Sequence, residues 1–306
     1  MGTPAFACPI LEALLARPDA VVGVVCQPDR PRGRGLGVSA PEVKRLAAQH
    51  GIPVLQPERV RDPAFLEALG GLAPDLIVVA AYGKILPRAV LDLPPRGCIN
   101  VHASLLPRHR GAAPVTWTIL AGDATTGVTI MAMNEQMDAG DILLQRETAV
   151  RPDDTGGTLL ERLAGLGAAA LGEAIDGLQA GTVRPTPQPA TGVTFAPRIE
   201  REHCRIDWGR PAIELERQVR ALAPAPSAFT TLGGRLLKVH RADVDLAAPT
   251  GDPGRVVATG PGAIVVATGS GVLRLLEVQL EGRRRLSAGE FLAGHPTTPG
   301  TCLGSA

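Results

Sequence analysis

The residues with the clearest chemical potential lie in one polar segment inside an apolar setting. Residues 98–114 read Cys-Ile-Asn-Val-His-Ala-Ser-Leu-Leu-Pro-Arg-His-Arg-Gly-Ala-Ala-Pro. Asn100 and His102 stand two positions apart, so on a strand both side chains point to the same face, near its carboxyl end. An amide and an imidazole placed there could polarise a carbonyl group and stabilise the oxyanion of a tetrahedral intermediate. The alternative is a histidine whose ring is satisfied by a neighbouring loop.

A carboxylate in a second polar segment is a candidate partner for this pair. Residues 134–141 read Asn-Glu-Gln-Met-Asp-Ala-Gly-Asp and follow a predicted strand that ends at Met133. Asp138 precedes Ala-Gly, which predicts a tight loop with an available carboxylate. Such a group beside an imidazole can help to move protons. The alternative is an ordinary turn residue, because Asp is common before Gly in turns.

A basic segment near the N-terminus is the third candidate. Residues 27–35 read Gln-Pro-Asp-Arg-Pro-Arg-Gly-Arg-Gly and include Arg30, Arg32 and Arg34. The glycines and prolines argue against a helix, and they do not form the G-x-G-x-x-G pattern of a dinucleotide site. A basic loop beside a catalytic face suits a phosphate-rich partner. A solvated loop with no partner is the alternative.

Strands that alternate with helices must position these segments. The pattern over the first part of the chain predicts an α/β domain with a doubly wound, parallel, Rossmann-like sheet. Predicted helices cover residues 4–17, 41–50 (with Ser39 as a candidate N-cap), 63–69, 113–121 and 155–180. Predicted strands cover residues 21–26, 53–55, 75–81, 97–103, 128–133 and 142–150.

The rest of the chain has a different character. Residues 181–190 are rich in Pro and Thr, which is typical of a linker. One helix (212–222) and short strands at 236–241, 254–258, 263–267 and 272–280 then predict a small OB-like β-barrel. We therefore expect a catalytic domain over residues 1–185, a linker over 186–203 and a C-terminal domain over 204–306.

Composition excludes several classes of protein. The formal net charge is +1, so binding to nucleic acid must come from local patches. No apolar run approaches the ~20 residues that span a bilayer, and we expect no membrane association. The five cysteines form no CxxC pair and the six histidines no ligand spacing, which predicts neither disulfides nor a metal site. These features and the absence of a recognisable signal peptide predict a cytoplasmic protein.

Taken together, the motifs resemble those of the methionyl-tRNA formyltransferases over essentially the whole chain. The resemblance is carried by Gly2-Thr-Pro-Ala-Phe-Ala7, residues 27–35, Ala81-Tyr-Gly-Lys-Ile-Leu-Pro87, Asn100–Pro114, Gly127-Val-Thr-Ile-Met131, Asp138-Ala-Gly140 and Arg205-Ile-Asp-Trp208. Asn-x-His with an Asp 38 residues after the Asn is the shared signature of enzymes that use 10-formyltetrahydrofolate.

The resemblance implies an activity and a set of site residues. The activity is transfer of a formyl group from 10-formyltetrahydrofolate to the α-amino group of methionyl initiator tRNA, for translation initiation, without a metal. Implied catalytic residues are Asn100, His102 and Asp138; the implied folate-lining residues are Ser104, Leu105, Leu106 and Pro107. Arg30, Arg32 and Arg34 would approach the tRNA acceptor end, and the C-terminal barrel would hold the tRNA body, with Arg283–Arg285 as its best basic cluster. We expect a monomer.

The sequence departs from the family pattern at two places. The family normally has a strand before Gly-Thr-Pro, where this sequence has only Met1, so the first, central strand is expected to be missing. Ala223-Pro-Ala-Pro-Ser lacks the aromatic residue that relatives carry between the two prolines, so local packing is expected to differ there.

Three other functions remain open at this point. A formyltransferase that acts on a nucleotide-linked amino sugar can share the signature, although the pattern of residues 27–35 favours the tRNA enzymes. A phosphoribosyl-glycinamide formyltransferase would have no use for the second domain. A non-catalytic RNA-binding protein on the same scaffold is the third, and the intact Asn100, His102 and Asp138 argue against it.

Overall fold

The computed structural model describes residues 1–32, 37–246, 251–260 and 262–304. The chain divides into two compact units. The first unit consists of Met1–Pro114, Thr125–Ala149 and Leu160–Pro197, and the second of Val115–Ala124, Val150–Leu159 and Arg198–Ala306. Residues 186–197, expected from the sequence to form part of a linker, therefore belong to the first unit. The domain limits given above stay a prediction.

Most of the predicted elements are present, with some additions. Within the described ranges the helices are α1 (Ala7–Leu15), α2 (Glu42–Gln49), α3 (Pro63–Gly71), α4 (Arg88–Leu91), α5 (Pro114–Ala121), α6 (Gly156–Gln179), α7 (Arg201–Cys204), α8 (Ala212–Ala221) and α9 (Ala288–Gly294). The strands there are β1 (Val24–Val25), β2 (Arg30–Arg32), β3 (Gly37–Ser39), β4 (Val54–Leu55), β5 (Ile77–Val79), β6 (Cys98–His102), β7 (Thr125–Ala132), β8 (Ile142–Ala149), β9 (Ala228–Leu232), β10 (Arg235–Asp245), β11 (Val256–Thr259), β12 (Ile264–Ala267), β13 (Val272–Leu280) and β14 (Leu286–Ser287).

The start of α2 differs from its prediction. Ser39 is the last residue of β3, where it pairs with Arg30 of β2. The residue that precedes α2 is Pro41, and no side-chain cap hydrogen bond is made there. The prediction of Ser39 as N-cap is therefore wrong, because the antiparallel pairing of two short strands places this serine before the helix begins.

The main sheet of the first unit is mixed rather than parallel. Its order is β5-β6-β7-β8, and β1 and β4 form a separate parallel pair. Strands β5 and β6 are parallel, whereas β7 runs antiparallel to both β6 and β8. The connection between β7 and β8 is too short for the crossover that parallel neighbours need, so these two strands form a hairpin. The α/β, Rossmann-like class is confirmed, and the prediction that all its strands are parallel is wrong.

Met1 and Gly2 lie between the edges of β1 and β5. The N–H of Gly2 donates to the carbonyl of Val25, and the N–H of Ala80 donates to the carbonyl of Met1, both at 2.9 Å. The α-amino group of Met1 donates to the carbonyl of Val78 at 2.6 Å, and burial lowers the pKa of this amine to about 6. A cavity of about 800 Å³ lies beside them. Met1 and Gly2 thus occupy the place between β1 and β5 ahead of α1.

The second unit is built on antiparallel strands. Its strand order is β11-β12-β13-β10-β9, with β14 paired to β13, and its core includes Trp208, Leu215 and Phe291. The predicted barrel does not close into a continuous ladder within the described residues. Instead, Leu303 makes an isolated antiparallel bridge with Leu232 of β9, and Cys302 makes one with Arg255, the residue before β11. The C-terminal segment thus lies between the two edge strands of this antiparallel sheet.

Candidate active site

Strand β6 places Asn100 and His102 side by side in the interior of the first unit. All five residues of β6 are buried, with Asn100 8% and His102 5% exposed. The strand is paired on both sides, where Asn100 lies opposite Val79 and Met131. An alternation of two along the strand points the amide and the imidazole to one face. Asn100 is therefore paired to both neighbouring strands, and His102 is paired to Thr129 of β7.

The two nitrogens of the His102 ring have different surroundings. Nε2 lies 3.0 Å from the carbonyl oxygen of His109, and Nδ1 lies 3.8 Å from Oδ2 of Asp138. Because a carbonyl only accepts, Nε2 carries the proton in this bond and Nδ1 is the nitrogen that can take up another. A loop thus satisfies one nitrogen of His102, as the alternative interpretation expects, and the other nitrogen faces a carboxylate, while the catalytic role stays a prediction.

Asp138 is both a turn residue and an aimed carboxylate. Its φ is 50°, in the left-handed region that short polar side chains tolerate in turns. The backbone N–H of Gly111 donates to its Oδ2 at 2.8 Å, and the side chain is 17% exposed. At Gly140 an added Cβ would lie 1.8 Å from the carbonyl oxygen of Ala132, so only glycine lets this loop pack against β7. The structure brings together the three residues that the sequence predicts as catalytic.

The segment Ser104–Pro107 is shaped by one buried threonine. Thr129 donates to the carbonyl of Ser104 at 2.7 Å and accepts from the N–H of Leu106 at 3.1 Å and from Gln145 Nε2 at 2.9 Å. The hydroxyl of Ser104 donates to the carbonyl of Arg108 at 2.6 Å. Ser104 and Leu106 are buried, Leu105 and Pro107 half-buried. Sequence reasoning missed Thr129 and Gln145, because neither stands in a motif that points to this segment.

The described part of the basic segment contains the short strand β2, where the sequence predicts a loop. Arg30 is exposed, and β2, which contains Arg30 and Arg32, pairs with β3. Arg34 lies outside the described residues. Asp29 anchors the base of the segment through Lys44 at 2.7 Å and Gln56 at 2.7 Å. The hydrogen bond from Gln56 and the nearby ammonium group hold the pKa of Asp29 below its usual range.

The basic cluster of the second unit is largely paired with acidic residues. Arg285 forms an ion pair with Glu277, and Arg284 lies 3.8 Å from Glu290.

The segment Ala223–Ser227 is where the sequence departs from the family pattern. The Ala223–Pro224 and Ala225–Pro226 peptide bonds are both cis, and the hydroxyl of Ser227 donates to the carbonyl of Pro224 at 3.0 Å.

The described residues contain neither a candidate metal site nor a candidate membrane span. They contain no group of three or more His, Cys, Asp or Glu side chains that could hold a metal ion. No helix among them has both the length and the apolar character needed to cross a membrane.

Comparison with known proteins identifies the family. The Formyl transferase family model matches residues 1–175, and the model of the Formyl transferase C-terminal domain matches residues 198–296. Methionyl-tRNA formyltransferase of Myxococcus xanthus is 51% identical over 301 residues, which cover 98% of this chain and 96% of the relative. The chain belongs to the methionyl-tRNA formyltransferase family.

Solved structures of two other proteins share the fold of this family member. An N-formyltransferase from Helicobacter canadensis, in complex with folinic acid and dTDP-3-aminofucose, matches with a TM-score of 0.65 at 16% identity, over 93% of this chain and 97% of that one. HypX from Aquifex aeolicus, in complex with tetrahydrofolic acid, matches with a TM-score of 0.63 at 20% identity over 92% of this chain. The chain spans about half of HypX, 49% of its length. At these identities the likeness concerns the fold alone.

Proposed function

We propose that this protein transfers a formyl group from 10-formyltetrahydrofolate to the α-amino group of methionyl initiator tRNA, for translation initiation in the cytoplasm. The observation that carries the proposal is the approach of Asp138 to His102, at 3.8 Å, beside Asn100 on the same strand of a formyl transferase fold. The names of the full-length relatives support the acceptor.

The chemistry follows from the three side chains. The neutral amine attacks the formyl carbon on N10 of the folate, a C–N bond forms, and the carbonyl oxygen becomes an oxyanion. Asn100 stabilises that oxyanion as a hydrogen-bond donor, and His102 adds a second donor once its Nδ1 has taken up a proton, because its Nε2–H is already bound to the carbonyl of His109. The amine proton passes to the Asp138–His102 pair, directly or through a water, and then to N10 as the bond from N10 to the formyl carbon breaks. The step balances without a metal or a nucleophilic side chain.

The separation of 3.8 Å suits an ion pair between a protonated His102 and Asp138 in this scheme. It exceeds the length of a hydrogen bond but lies within ion-pair distance. A proton taken up at Nδ1 of His102 would lie between the ring and the carboxylate. The carboxylate itself stays in place, because the N–H of Gly111 binds its Oδ2 at 2.8 Å. The donor folate would lie against Ser104, Leu105, Leu106 and Pro107, which Thr129 orders.

The acceptor is proposed to approach over the basic segment. Arg30 is exposed on β2, and Asp29, Lys44 and Gln56 fix the base of that segment. Arg32 and Arg34 would add charge for the phosphates of the acceptor end, although the position of Arg34 lies outside the described residues. We expect the protein to act as a monomer, with its second unit bound to the body of the tRNA.

The direct test is formyl transfer from 10-formyltetrahydrofolate to methionyl initiator tRNA by the purified chain. Methionyl elongator tRNA and a nucleotide-linked amino sugar serve as parallel acceptors. Transfer to the initiator tRNA, at a rate well above that to the other two, is the expected result. A folded protein that formylates only the amino sugar would establish the alternative acceptor, which at present rests on a fold likeness at 16% identity.

A further inference from the structure

The amide of Gln188 joins two loops of the candidate active site. Its Nε2 donates to the carbonyl of Asp138 at 2.9 Å and to the carbonyl of Gly140 at 2.8 Å. Its Oε1 accepts from Nε of Arg110 at 3.0 Å and from Nη2 of Arg110 at 2.6 Å. One side chain therefore binds the loop that carries the catalytic carboxylate and the loop that faces the catalytic histidine.

The chemistry of the partners determines how this amide is oriented. A guanidinium group can only donate, and a backbone carbonyl can only accept. A rotation of the amide by 180° would place Nε2 against the donors of Arg110 and Oε1 against two carbonyl oxygens. All four hydrogen bonds would be lost, so the arrangement has one orientation, and both N–H donors of the side chain are used.

One of the two loops contacts both members of the catalytic pair, and the other loop carries Asp138 itself. On one side, the carbonyl of His109 accepts from Nε2 of His102, and the N–H of Gly111 donates to Oδ2 of Asp138. Arg110 lies between these two contacts. On the other side, Gln188 binds the carbonyl of Asp138 itself. A displacement of either loop would change the 3.8 Å between His102 and Asp138.

The segment that carries Gln188 is attached to the first unit at both ends. Thr186 exchanges two backbone hydrogen bonds with Ile142, at 2.8 and 2.9 Å. Further on, the N–H of Arg110 donates to the carbonyl of Thr194 at 2.9 Å, and the N–H of Ala196 donates to the carbonyl of Arg110 at 2.7 Å. At Gly111 an added Cβ would lie 2.6 Å from the carbonyl oxygen of Ala196, so the segment and the loop are in close contact.

We propose that Gln188 is a positioning residue, which joins the loops of Arg110 and Asp138 and thereby sets the approach of the carboxylate to His102. It acts through Asp138 and does not touch the reacting atoms. The proposal rests on the proposed formyl transfer. A shift of a catalytic group by about 1 Å can cost about 100-fold in rate, so a small relaxation of these loops is expected to affect turnover.

The test compares three variants by steady-state formyl transfer with folate varied at saturating tRNA, with thermal unfolding measured for each. Gln188→Met keeps the length of the side chain and removes all four hydrogen bonds. Gln188→Glu keeps the acceptor for Arg110 and loses the donors to the two carbonyls. Gln218→Met is the matched control, because Gln218 also donates to two backbone carbonyls, of His203 at 2.8 Å and Arg205 at 3.0 Å, in the second unit.

We expect Gln188→Met and Gln188→Glu to lower kcat about 10- to 100-fold, with little change in KM for folate. Gln218→Met is expected to lower thermal stability and to keep kcat within about twofold of the unmodified chain. In an Asp138→Asn background, where the carboxylate is already absent, Gln188→Met is expected to lower the residual rate by less than about threefold, because the two residues act in one unit.

Two results would overturn the proposal. The first is a kcat within twofold of the unmodified chain for folded Gln188→Met or Gln188→Glu. The second is an equal fold-loss from Gln188→Met with and without Asp138→Asn, which would assign the loss to general structure. Failure of the proposed function is distinguishable from both, because it would appear as a folded, unmodified chain that transfers no formyl group to methionyl initiator tRNA.

Discussion

The backbone N–H of Gly111 donates to Oδ2 of Asp138 at 2.8 Å and leaves that oxygen 3.8 Å from the ring of His102. The contact is made by backbone, so it persists when the side chain keeps an oxygen acceptor at this position. An asparagine keeps such an acceptor and loses only the charge. The charge of Asp138 can therefore be tested without removing the contact that orders its loop.

Asp138→Asn is expected to lower kcat about 10²- to 10⁴-fold, because proton transfer loses its carboxylate. Folate affinity, measured by equilibrium binding, is expected to change by less than about threefold, since the loop stays in place. Asp141→Asn, in the same loop, is the matched control and should keep kcat. Normal turnover by Asp138→Asn would exclude the carboxylate from the proton path.

Asn100→Ala and His102→Ala remove the two donors to one oxyanion. Each is expected to lower kcat about 10²- to 10³-fold, and the double variant to lose less than the product of the two, because residues that act on one intermediate are not additive. Val101→Ala changes the residue between them, which is 2% exposed, and should lower stability while kcat is retained. Fully multiplicative losses would show that the two side chains contribute independently and not as one unit.

Thr129→Val keeps the shape of a buried residue and removes its hydroxyl. The N–H of Leu106 and the amide of Gln145 then lose an acceptor in the interior, which typically costs about 1–3 kcal/mol of unfolding free energy. Because Thr129 orders Ser104 and Leu106, KM for folate is expected to rise. Chemical denaturation and kinetics measure both effects, with exposed Thr125→Val as the control. An unchanged KM for folate would remove Ser104–Pro107 from the folate site.

Arg30→Ala tests the basic segment as the approach for tRNA. Loss of one phosphate contact is expected to weaken tRNA binding and to reduce the slope of log K against log salt concentration by about 1. Binding would be measured from 50 to 200 mM salt, the range over which such contacts weaken ~10³- to 10⁵-fold when there are six to ten of them. Arg59→Ala, another exposed arginine of the first unit, is the control. Identical slopes for all three proteins would place the tRNA elsewhere.

The lowered pKa of His240 predicts that the free energy of unfolding decreases as the pH falls. Burial, followed by the charges of Arg285 and Lys238, lowers its pKa, although its hydrogen bond to Gln279 and the nearby Glu277 act in the opposite direction. The unfolded chain then binds a proton that the folded chain does not, so stability present at pH 8 falls as pH drops through the unfolded value of about 6.5. His240→Asn should flatten the pH dependence of the unfolding midpoint between pH 8 and 5. An equally steep dependence in the variant would assign the step to another group.

The sequence was sufficient for the local part of the site. Asn100 and His102 share a face because the side chains of any strand alternate, and an apolar run between helices predicts that strand. The left-handed turn at Asp138 follows from the same local logic, since Asp-Ala-Gly favours a tight loop. The motifs also identified the family, and full-length relatives confirm it. These inferences depend on residues that are near neighbours along the chain.

The tertiary structure decided whatever depends on segments that are far apart in sequence. No local propensity brings Gly111 to Asp138, Thr129 to Leu106, or Gln188 to Arg110, because each contact depends on where whole loops lie. The same holds for the antiparallel course of β7, and for Met1 and Gly2 in place of a first strand. The residue types in the sequence determined which chemistry is available. Hydrogen bonds between loops that are distant in sequence determined that Nδ1 of His102 and Oδ2 of Asp138 lie 3.8 Å apart.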